Sequence, residues 1–403
     1  MEKSYAMIRG LALVFLLAGS AAAQSTQDRD AGATFKSFLA VLWPQAQARG
    51  VTRATFERAF AGVTPDSRVL AATQRQPEYG KPFGAYVGSF ISPSRISTGI
   101  RHARQLSDVL AAVEKIYGVD RWVVLSIWGV EADYGGYKPR WDVIRSLATL
   151  AHARYREELF RDELVAALEV LQGGHISRER MLGSWAGALG QCQFLPSGFL
   201  RYAVDFSGDG RRDIWNDAAD VLGSIGNYLR AHGWRPGLPW GFEVTVPAAF
   251  DYRRSRGAFR DWAALGVRRA DGRALPAGGE AILFFPSGAV GPAFLVTDNF
   301  VVIKRYNDSD AYALAVAHLA DRLHGGAPIH AAWPADDVQL SREERIELQR
   351  GLARLGYKVN EFQGHIDFDL RDAIRDVQAK AGRVSDGHPD ATVLAIVRSQ
   401  FRR

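Results

Sequence analysis

Residues 122–136 read WVVLSIWGVEADYGG, one of the most apolar stretches of the 403-residue chain. Nearly every position up to Val130 is apolar, which predicts a helix buried on almost all sides. The glycines Gly135 and Gly136 predict where that helix ends. Glu131 would then lie near the carboxyl end of a buried helix, where the loss of water and the negative end of the helix dipole both disfavour its charged form.

Glu131 is therefore the candidate catalytic residue, because a carboxylic acid that stays neutral near pH 7 can act as a general acid. The ordinary alternative is a glutamate whose carboxylate reaches solvent or pairs with an arginine. Asp133 is the obvious second carboxylate, but residues two apart on a helix do not face the same way. We expect Asp133 to be solvated.

The beginning of the chain predicts export. Lys3 and Arg9 precede an apolar run over 11–17, and Ala21-Ala22-Ala23 fits a cleavage site, so residues 1–23 are predicted to be a signal peptide. An uncleaved anchor is the alternative. The apolar run is too short to span a bilayer as a mature helix, and no later stretch is long and apolar enough to do so. Residues 24–33 are predicted to be a flexible polar tail.

The composition limits the remaining classes. Cys192 is the single cysteine, which excludes a disulfide within the chain, and it is too far from the leader to carry a lipid anchor. We expect it to be buried rather than nucleophilic. The net charge of +6 suits anionic surfaces or polymers. Nucleic acid is not expected as a partner, because the chain has an export signal and no nucleic-acid motif.

The hydrophobic pattern predicts helical segments and one β-rich insertion. Helical spacing dominates from Phe35 to about Leu229, and helix returns at 311–323. Between them, about 240–304 is predicted to be a small β-rich insertion. Its three predicted strands are 242–246, 281–285 and 300–303. A Gly, Pro and Ala stretch at 326–337 is predicted to be a linker to a compact segment, 338–403.

Five segments, taken in order, suggest a family. They are GVEADYG at 129–135, GSWAGALGQCQFLPS at 183–197, YAVDFSGDG at 202–210, NYLRAHGW at 227–234 and RYN at 305–307. The series resembles the lytic murein transglycosylase B family of bacteria, over roughly residues 33 to 325. The resemblance implies a mainly α (α+β) fold for 34–325: a lysozyme-like helical core, an added helical domain and the small β-rich insertion.

The resemblance also implies an activity and a compartment. It implies a periplasmic enzyme that cleaves the β-1,4 bond between MurNAc and GlcNAc in peptidoglycan. A single glutamate, Glu131, would protonate the glycosidic oxygen, with help from the substrate's N-acetyl group. The same residue would then deprotonate the C6 hydroxyl to give a 1,6-anhydro sugar, with no cofactor required. A hydrolytic muramidase and a non-catalytic peptidoglycan-binding protein stay open as alternatives.

The same resemblance implies the substrate-binding residues. Ser184 and Gln193 match positions that touch the substrate near the acid, and Phe194 matches an aromatic wall. Tyr306 or Asn307 is expected near Glu131 or the N-acetyl group. The remaining members of the set are Tyr228, which lines the site, and Arg156, a bidentate donor for the peptide stem or the lactyl carboxylate. Ordinary packing is the alternative for each. Two departures from the family pattern are Trp185, where tyrosine is common, and Cys192, where a small residue is expected.

Residues 205–216 can be laid on the EF-hand template. Gly210 takes the position of the sharp turn, and Asn216 stands where a bidentate glutamate is usual, which predicts weak binding. The expected ligands are Asp205, Ser207, Asp209, the carbonyl of Arg211, Asp213 and Asn216. The resemblance implies a structural calcium ion here, and the alternative is a plain Asp/Gly turn.

The C-terminal segment resembles a small three-helix peptidoglycan-binding domain. Its first motif is ELQRGLARLGY at 347–357, although the usual Asp-Gly before the second motif and the usual Gly-Pro turn are absent. Such a module would raise the local concentration of the enzyme on an insoluble wall. A mere packing domain is the alternative. The expected partners are peptidoglycan glycan strands, and cell-wall synthesis proteins in addition.

Overall fold

The computed structural model describes residues 34–73 and 81–401. The predicted signal peptide and polar tail therefore lie outside the described residues. Within those residues, none of the helices has the length and apolar character needed to cross a membrane. Over the described residues the fold is mainly helical, with two small antiparallel sheets of five and two strands, which confirms the predicted class.

The elements follow the chain in this order. The helices are α1 (34–48), α2 (Arg53–Phe60), α3 (Ser67–Thr73), α4 (Phe83–Phe90), α5 (Pro93–Gln105), α6 (Ser107–Tyr117), α7 (Arg121–Ala132), α8 (Val143–His152), α9 (Glu157–Gln172), α10 (Pro196–Tyr202), α11 (Ala218–Ala231), α12 (Phe259–Ala264), α13 (Asp298–Lys304), α14 (Asp310–Leu323), α15 (Arg342–Arg354), α16 (Phe368–Lys380) and α17 (Ala391–Ser399). The strands are β1 (Trp141–Asp142), β2 (Leu182–Gly183), β3 (Gly241–Thr245), β4 (Arg256–Ala258), β5 (Arg268–Arg269), β6 (Glu280–Phe284) and β7 (Ala293–Val296).

The first compact unit contains the described residues 34–72, 140–188 and 195–200. Helices α8 and α9 pack together in it. Both helices have fully buried residues, such as Leu147 of α8 and Leu164 of α9, as the helical spacing predicts. Strands β1 and β2 pair antiparallel. Because α8 begins directly after β1, its first residue lies beside the segment that contains β2.

The second unit is built around α7, which packs against α14, α11, α5 and α6. Every residue from Val123 to Gly129 is buried. Ser126 Oγ donates a hydrogen bond to the Val316 carbonyl oxygen at 2.6 Å, which satisfies the one hydroxyl inside this apolar surface. The predicted all-round burial of this helix is therefore confirmed.

The sheet of the second unit is antiparallel, with strand order β4-β6-β7-β3-β5. Trp262 and Phe259 of α12 pack with Leu283 and Leu295 of the sheet into one core. The predicted strands at 242–246 and 281–285 are confirmed as β3 and β6. Strands β4, β5 and β7 and helix α12 were not predicted.

The third predicted strand, at 300–303, is wrong because these residues lie in helix α13. A short continuous apolar run does not distinguish a buried strand from a buried helix. The Thr297 side chain accepts a hydrogen bond from the Asn299 amide and caps the helix. Phe300 and Ile303 are fully buried in the helical conformation.

The C-terminal segment, residues 338–401, forms helices α15, α16 and α17 around its own core, which includes Leu352, Ile374 and Leu394. Residues 326–337 contain no helix or strand. The backbone amides of His330 and Ala331 donate to the two oxygens of the Glu243 carboxylate, each at 2.8 Å. The predicted linker is thus hydrogen bonded to strand β3.

Candidate active site

Glu131 occupies the last turn of α7 and is half-buried. Asp133 and Tyr134 follow with φ values of 49° and 55°, so the helix stops in the left-handed region. The Tyr134 ring turns back against Gly129, where a β-carbon would lie 2.5 Å from Tyr134 Cζ. The glycine of the Gly-Val-Glu sequence is therefore required by the packing that ends the acid-bearing helix.

The partner of the acid comes from the first turn of α14. Tyr312 Oη donates a hydrogen bond to Glu131 Oε1 at 2.6 Å, and only 1% of Tyr312 is exposed. Burial raises the pKa of Tyr312 well above its usual value, and the neighbouring Glu131 carboxylate raises it further. Tyr312 therefore stays a neutral donor. Sequence reasoning missed this residue, because the two partners are 181 positions apart.

Asp133, the nearest carboxylate to Glu131 in sequence, is exposed. Its side chain keeps 58% of its surface accessible, and Oδ1 lies 3.4 Å from Arg95 Nε. The prediction that Asp133 is solvated is confirmed. This leaves Glu131, with its buried phenol partner, as the better placed acid of the two.

A tight loop, residues 189–194, is hydrogen bonded to the acid helix. Gln191 Oε1 accepts from Trp128 Nε1 at 2.7 Å, and Gln191 Nε2 donates to the Trp215 carbonyl oxygen at 2.7 Å. Gly190 has a φ of 57°, and a β-carbon there would lie 2.7 Å from the Ile214 carbonyl oxygen. Only glycine fits this turn without strain.

Gln193 and Phe194 lie on this loop. Gln193 adopts a φ of 52°, and its Nε2 donates to the Gly190 carbonyl oxygen at 2.8 Å. Cys192 is fully buried, and burial raises the pKa of its thiol well above the usual value, so it does not act as a nucleophile. The prediction that Cys192 is a small buried residue is confirmed.

Aromatic rings cluster on one side of the loop. The Phe194 and Tyr228 rings stack with centroids 5.5 Å apart, and Tyr306 lies 4.8 Å from Tyr228. Tyr306 Oη donates to the Cys192 carbonyl oxygen at 2.7 Å, and Tyr228 Oη donates to the Arg305 carbonyl oxygen. Burial raises the pKa of Tyr228 to about 12, so its hydroxyl is a neutral donor. Three residues that sequence reasoning selected separately, Phe194, Tyr228 and Tyr306, therefore form one wall.

Two segments of the chain match known protein families. The sequence matches the transglycosylase SLT domain over residues 34–321 and a peptidoglycan binding domain over residues 341–397. The chain belongs to the SLT transglycosylase family. Its C-terminal segment is the peptidoglycan-binding domain, and the predicted recognition is confirmed.

Three related proteins show how similar this chain is in sequence and in fold to known proteins. Membrane-bound lytic murein transglycosylase B of Escherichia coli (strain K12) is 33% identical over 267 residues, which are 61% of this chain and 69% of that protein. SltB3 from Pseudomonas aeruginosa, solved with NAG-NAM-pentapeptide, is 45% identical, with a TM-score of 0.82 over 90% of this chain and 99% of that chain. Escherichia coli SLT35, solved with calcium, is 27% identical, with a TM-score of 0.60 over 72% of this chain and 92% of that chain.

The other predicted site residues of the enzyme are distributed over both units. Asn307 follows Tyr306 and lines a small cavity together with Tyr86 and His365. Ser184 belongs to the first unit, where its Oγ accepts from the Ala188 amide at 3.0 Å and orders the turn at 184–188. Arg156, also in the first unit, is exposed at the start of α9 with a φ of 44°.

The predicted calcium loop has oxygen ligands, but not the full template set. Carboxylate oxygens of Asp205, Asp209 and Asp220 all lie within 4.8 Å of one another, an arrangement that fits a hard cation. Asp213 instead accepts the amides of Trp215 and Asn216. Asp220 lies in α11, outside the twelve-residue template, which is why sequence reasoning missed it.

Asp220 also ties the loop together. It is fully buried, and its oxygens accept the backbone amides of Phe206, Ser207 and Asp213 at 2.7–3.0 Å. Asp205 accepts three further amides, from Gly208 to Gly210. These bonds use much of the acceptor capacity of both carboxylates, so a cation would share oxygens with the backbone.

Proposed function

We propose that the enzyme cleaves the β-1,4 bond between MurNAc and GlcNAc in peptidoglycan and leaves 1,6-anhydro-MurNAc ends, with Glu131 as its single acid and base. The hydrogen bond from the buried Tyr312 hydroxyl to Glu131 Oε1 carries the proposal. It fixes one carboxyl oxygen of Glu131 at the end of a buried helix. Membership of the SLT transglycosylase family supports the reaction class.

In the first step, Glu131 donates its proton to the glycosidic oxygen. The C1–O bond breaks, and its electron pair stays on the departing oxygen of GlcNAc. The carbonyl oxygen of the MurNAc N-acetyl group stabilises the positive charge at C1, so the protein does not have to supply a second carboxylate. Glu131 is left ionised, and the neutral Tyr312 hydroxyl stabilises that charge by donating to it.

In the second step, the Glu131 carboxylate takes the proton from the C6 hydroxyl. The oxygen of that hydroxyl bonds to the positively charged C1, which neutralises the charge there and closes the 1,6-anhydro ring, and Glu131 returns to its acid form. No water and no cofactor take part. The SltB3 structure solved with NAG-anhNAM-pentapeptide, a complex of a relative 45% identical to this chain, supports an anhydro product.

The proposal assigns the substrate contacts to the residues selected from the sequence. Phe194, Tyr228 and Tyr306 offer an aromatic wall, on which sugar rings pack through their apolar faces. Gln193 and Asn307 supply amide donors and acceptors. We assign Ser184 to contact near the acid and Arg156 to a carboxylate of the peptide stem or the lactyl group.

Calcium has a structural role in the proposal. Asp205, Asp209 and Asp220 would hold the ion, with Ser207, the Arg211 carbonyl, Asp213 and Asn216 as the additional template ligands. Calcium would stiffen the loop 205–216. The carbonyl oxygens of Ile214 and Trp215 in this loop accept hydrogen bonds from Gln191 of the loop 189–194. The complex of SLT35 with calcium supports this assignment.

We further propose that the enzyme works in the periplasm after removal of residues 1–23, and that the C-terminal domain binds peptidoglycan. The family match at 341–397 supports the binding role. The glycan strands are then the main partner, and cell-wall synthesis proteins are a further class of partner.

Mass spectrometry of the soluble products released from purified sacculi tests the reaction, with Glu131→Gln in parallel. We expect anhydro-muropeptides from the wild type and at least about 100-fold less from the variant. Products heavier by one water would show a hydrolytic muramidase instead. No products from either protein, with both still pelleting with sacculi, would show a non-catalytic binding protein.

A further inference from the structure

The segment 305–310 connects α13 to α14 and lies against the proposed catalytic site. It carries Tyr306, whose hydroxyl bonds to the Cys192 carbonyl oxygen. It ends two residues before Tyr312, whose hydroxyl bonds to Glu131. One of the two phenols therefore lies within this segment, and the other lies two residues beyond its end.

The C-terminal domain holds the end of this segment through a buried ion triad. Arg371 Nη2 of α16 lies 2.7 Å from Asp310 Oδ2, and Lys304 Nζ lies 2.6 Å from Asp310 Oδ1. The side chains of all three are at most 10% exposed. Burial alone would raise the pKa of Asp310, but Lys304 and Arg371 lower it to about 2, so the carboxylate is charged at neutral pH.

A second contact reaches the middle of the segment. His365 Nδ1 donates a hydrogen bond to the Asp308 carbonyl oxygen at 3.0 Å. A carbonyl oxygen only accepts, so the proton lies on Nδ1. Both contacts come from the C-terminal domain, 57 and 61 positions further along the chain.

We infer that Arg371 and His365 are positioning residues for the reaction: the wall-binding domain holds segment 305–310, and through it Tyr312 and Tyr306, in place around Glu131. The inference rests on the proposed function of Glu131. It gives the C-terminal domain a role in the chemical step in addition to attachment to the wall. Removing Arg371 then lowers kcat even on a substrate too small to need attachment.

The same interface provides a matched control. Arg256 of β4 lies 2.6 Å from Asp369 and 3.3 Å from Asp372 of α16, and neither partner belongs to segment 305–310. Arg256→Met removes an arginine that contacts the C-terminal domain but keeps the contacts of Arg371 and His365 with the segment. The Arg256 pairs are exposed, so their loss has little effect on folding.

The experiment measures kcat and KM of the full chain on a soluble muropeptide tetrasaccharide, for wild type, Arg371→Met, Arg371→Lys, Arg256→Met and Glu131→Gln. Circular dichroism and pelleting with sacculi report folding and wall binding. We expect Arg371→Met to lower kcat about tenfold with KM within about threefold, because small misplacements of catalytic groups mainly slow the chemical step. Arg371→Lys is expected to restore at least about half of the activity, and Arg256→Met to stay within about twofold.

A folded Arg371→Met with wild-type kcat would overturn the inference, as would equal losses in Arg371→Met and Arg256→Met. If Arg371→Met does not fold, His365→Ala decides, because 29% of the His365 side chain is exposed and its loss is tolerated. We expect His365→Ala to lower kcat about threefold, and an unchanged kcat would refute the positioning role. A fully active Glu131→Gln would overturn the proposed function, and the inference with it. If Glu131→Gln is inactive, the proposed function stands, and a negative result with Arg371→Met or His365→Ala refutes only the positioning role.

Discussion

Helix α7 and the α13–α14 junction supply the two ends of one hydrogen bond, Glu131 and Tyr312, but they are held in different ways. Helix α7 is buried from Val123 to Gly129 and is kept in place by apolar packing. The junction is kept in place by charges, because Asp310 pairs with Lys304 and Arg371. The acid is thus held by apolar packing, whereas the segment that leads to its partner also depends on charged contacts that mutation or pH can remove one at a time.

The largest expected effect comes from the α7 side. Glu131→Gln removes the only group assigned to proton transfer, so we expect kcat to fall by about 100- to 10,000-fold. Release of soluble muropeptides from sacculi measures the loss. Asp133→Asn is the matched control and is expected to stay within about threefold, because Asp133 is exposed. A comparable loss in Asp133→Asn would show that two carboxylates take part.

The next effect comes from the junction side. Tyr312→Phe removes the donor to Glu131 without changing the ring, and a hydrogen bond to a charged group contributes about 1.5–3 kcal/mol. We expect kcat to fall about 10- to 100-fold. Tyr306→Phe, whose hydroxyl bonds to a backbone carbonyl, is expected to lose less. The prediction fails if Tyr306→Phe is the slower enzyme.

How far the sequence predicts this site follows from the same comparison. The apolar pattern of 122–130 is local, and it correctly predicted a buried helix with Glu131 at its end. Helix α13, which leads into the junction, was wrongly predicted as a strand over 300–303, although the Thr297 cap and Asp298 are helix-start signals. Tyr312 could not be predicted, because only the tertiary fold brings it to Glu131.

The predicted calcium loop 205–216 and the linker 326–337 show the same division between local sequence signals and contacts that only the tertiary fold makes. The turn residues of 205–216 are local and indicated an oxygen-rich loop. Asp220, which joins Asp205 and Asp209, comes from the following helix and was missed. The linker at 326–337 was predicted from composition, but its hydrogen bonds to Glu243 depend on the folded sheet.

Packing at the end of α7 gives a third prediction. Gly129→Ala places a methyl group 2.5 Å from Tyr134 Cζ, so we expect a loss of about 1–3 kcal/mol in the free energy of unfolding. Urea denaturation measures it. Gly88→Ala in α4 is the control, since nothing lies within 4 Å of a β-carbon there. Equal stability of the two variants would contradict the packing argument.

The charges at the junction predict a dependence on acid. The Asp310 pKa of about 2 lies below its ordinary value of 3.8, so this carboxylate stabilises the fold above about pH 4 and loses that contribution as the pH falls toward 2. At 1.36 kcal/mol per pKa unit, the contribution is about 2 kcal/mol. Urea denaturation at pH 5 and pH 2.5 should show a smaller acid loss in Asp310→Asn than in the wild type. Parallel losses would refute the assignment.

A double-mutant cycle on Glu131 and Tyr312 tests most directly whether the two regions act through one hydrogen bond. Turnover of the same soluble muropeptide is measured for wild type, Glu131→Gln, Tyr312→Phe and the double variant. If Tyr312 acts through the Glu131 carboxyl, the double variant turns over at the rate of Glu131→Gln. In Glu131→Gln the Tyr312 phenol has no charge to stabilise, so its removal costs nothing further. Losses that multiply in the double variant would contradict the account and show that Tyr312 acts independently of the acid.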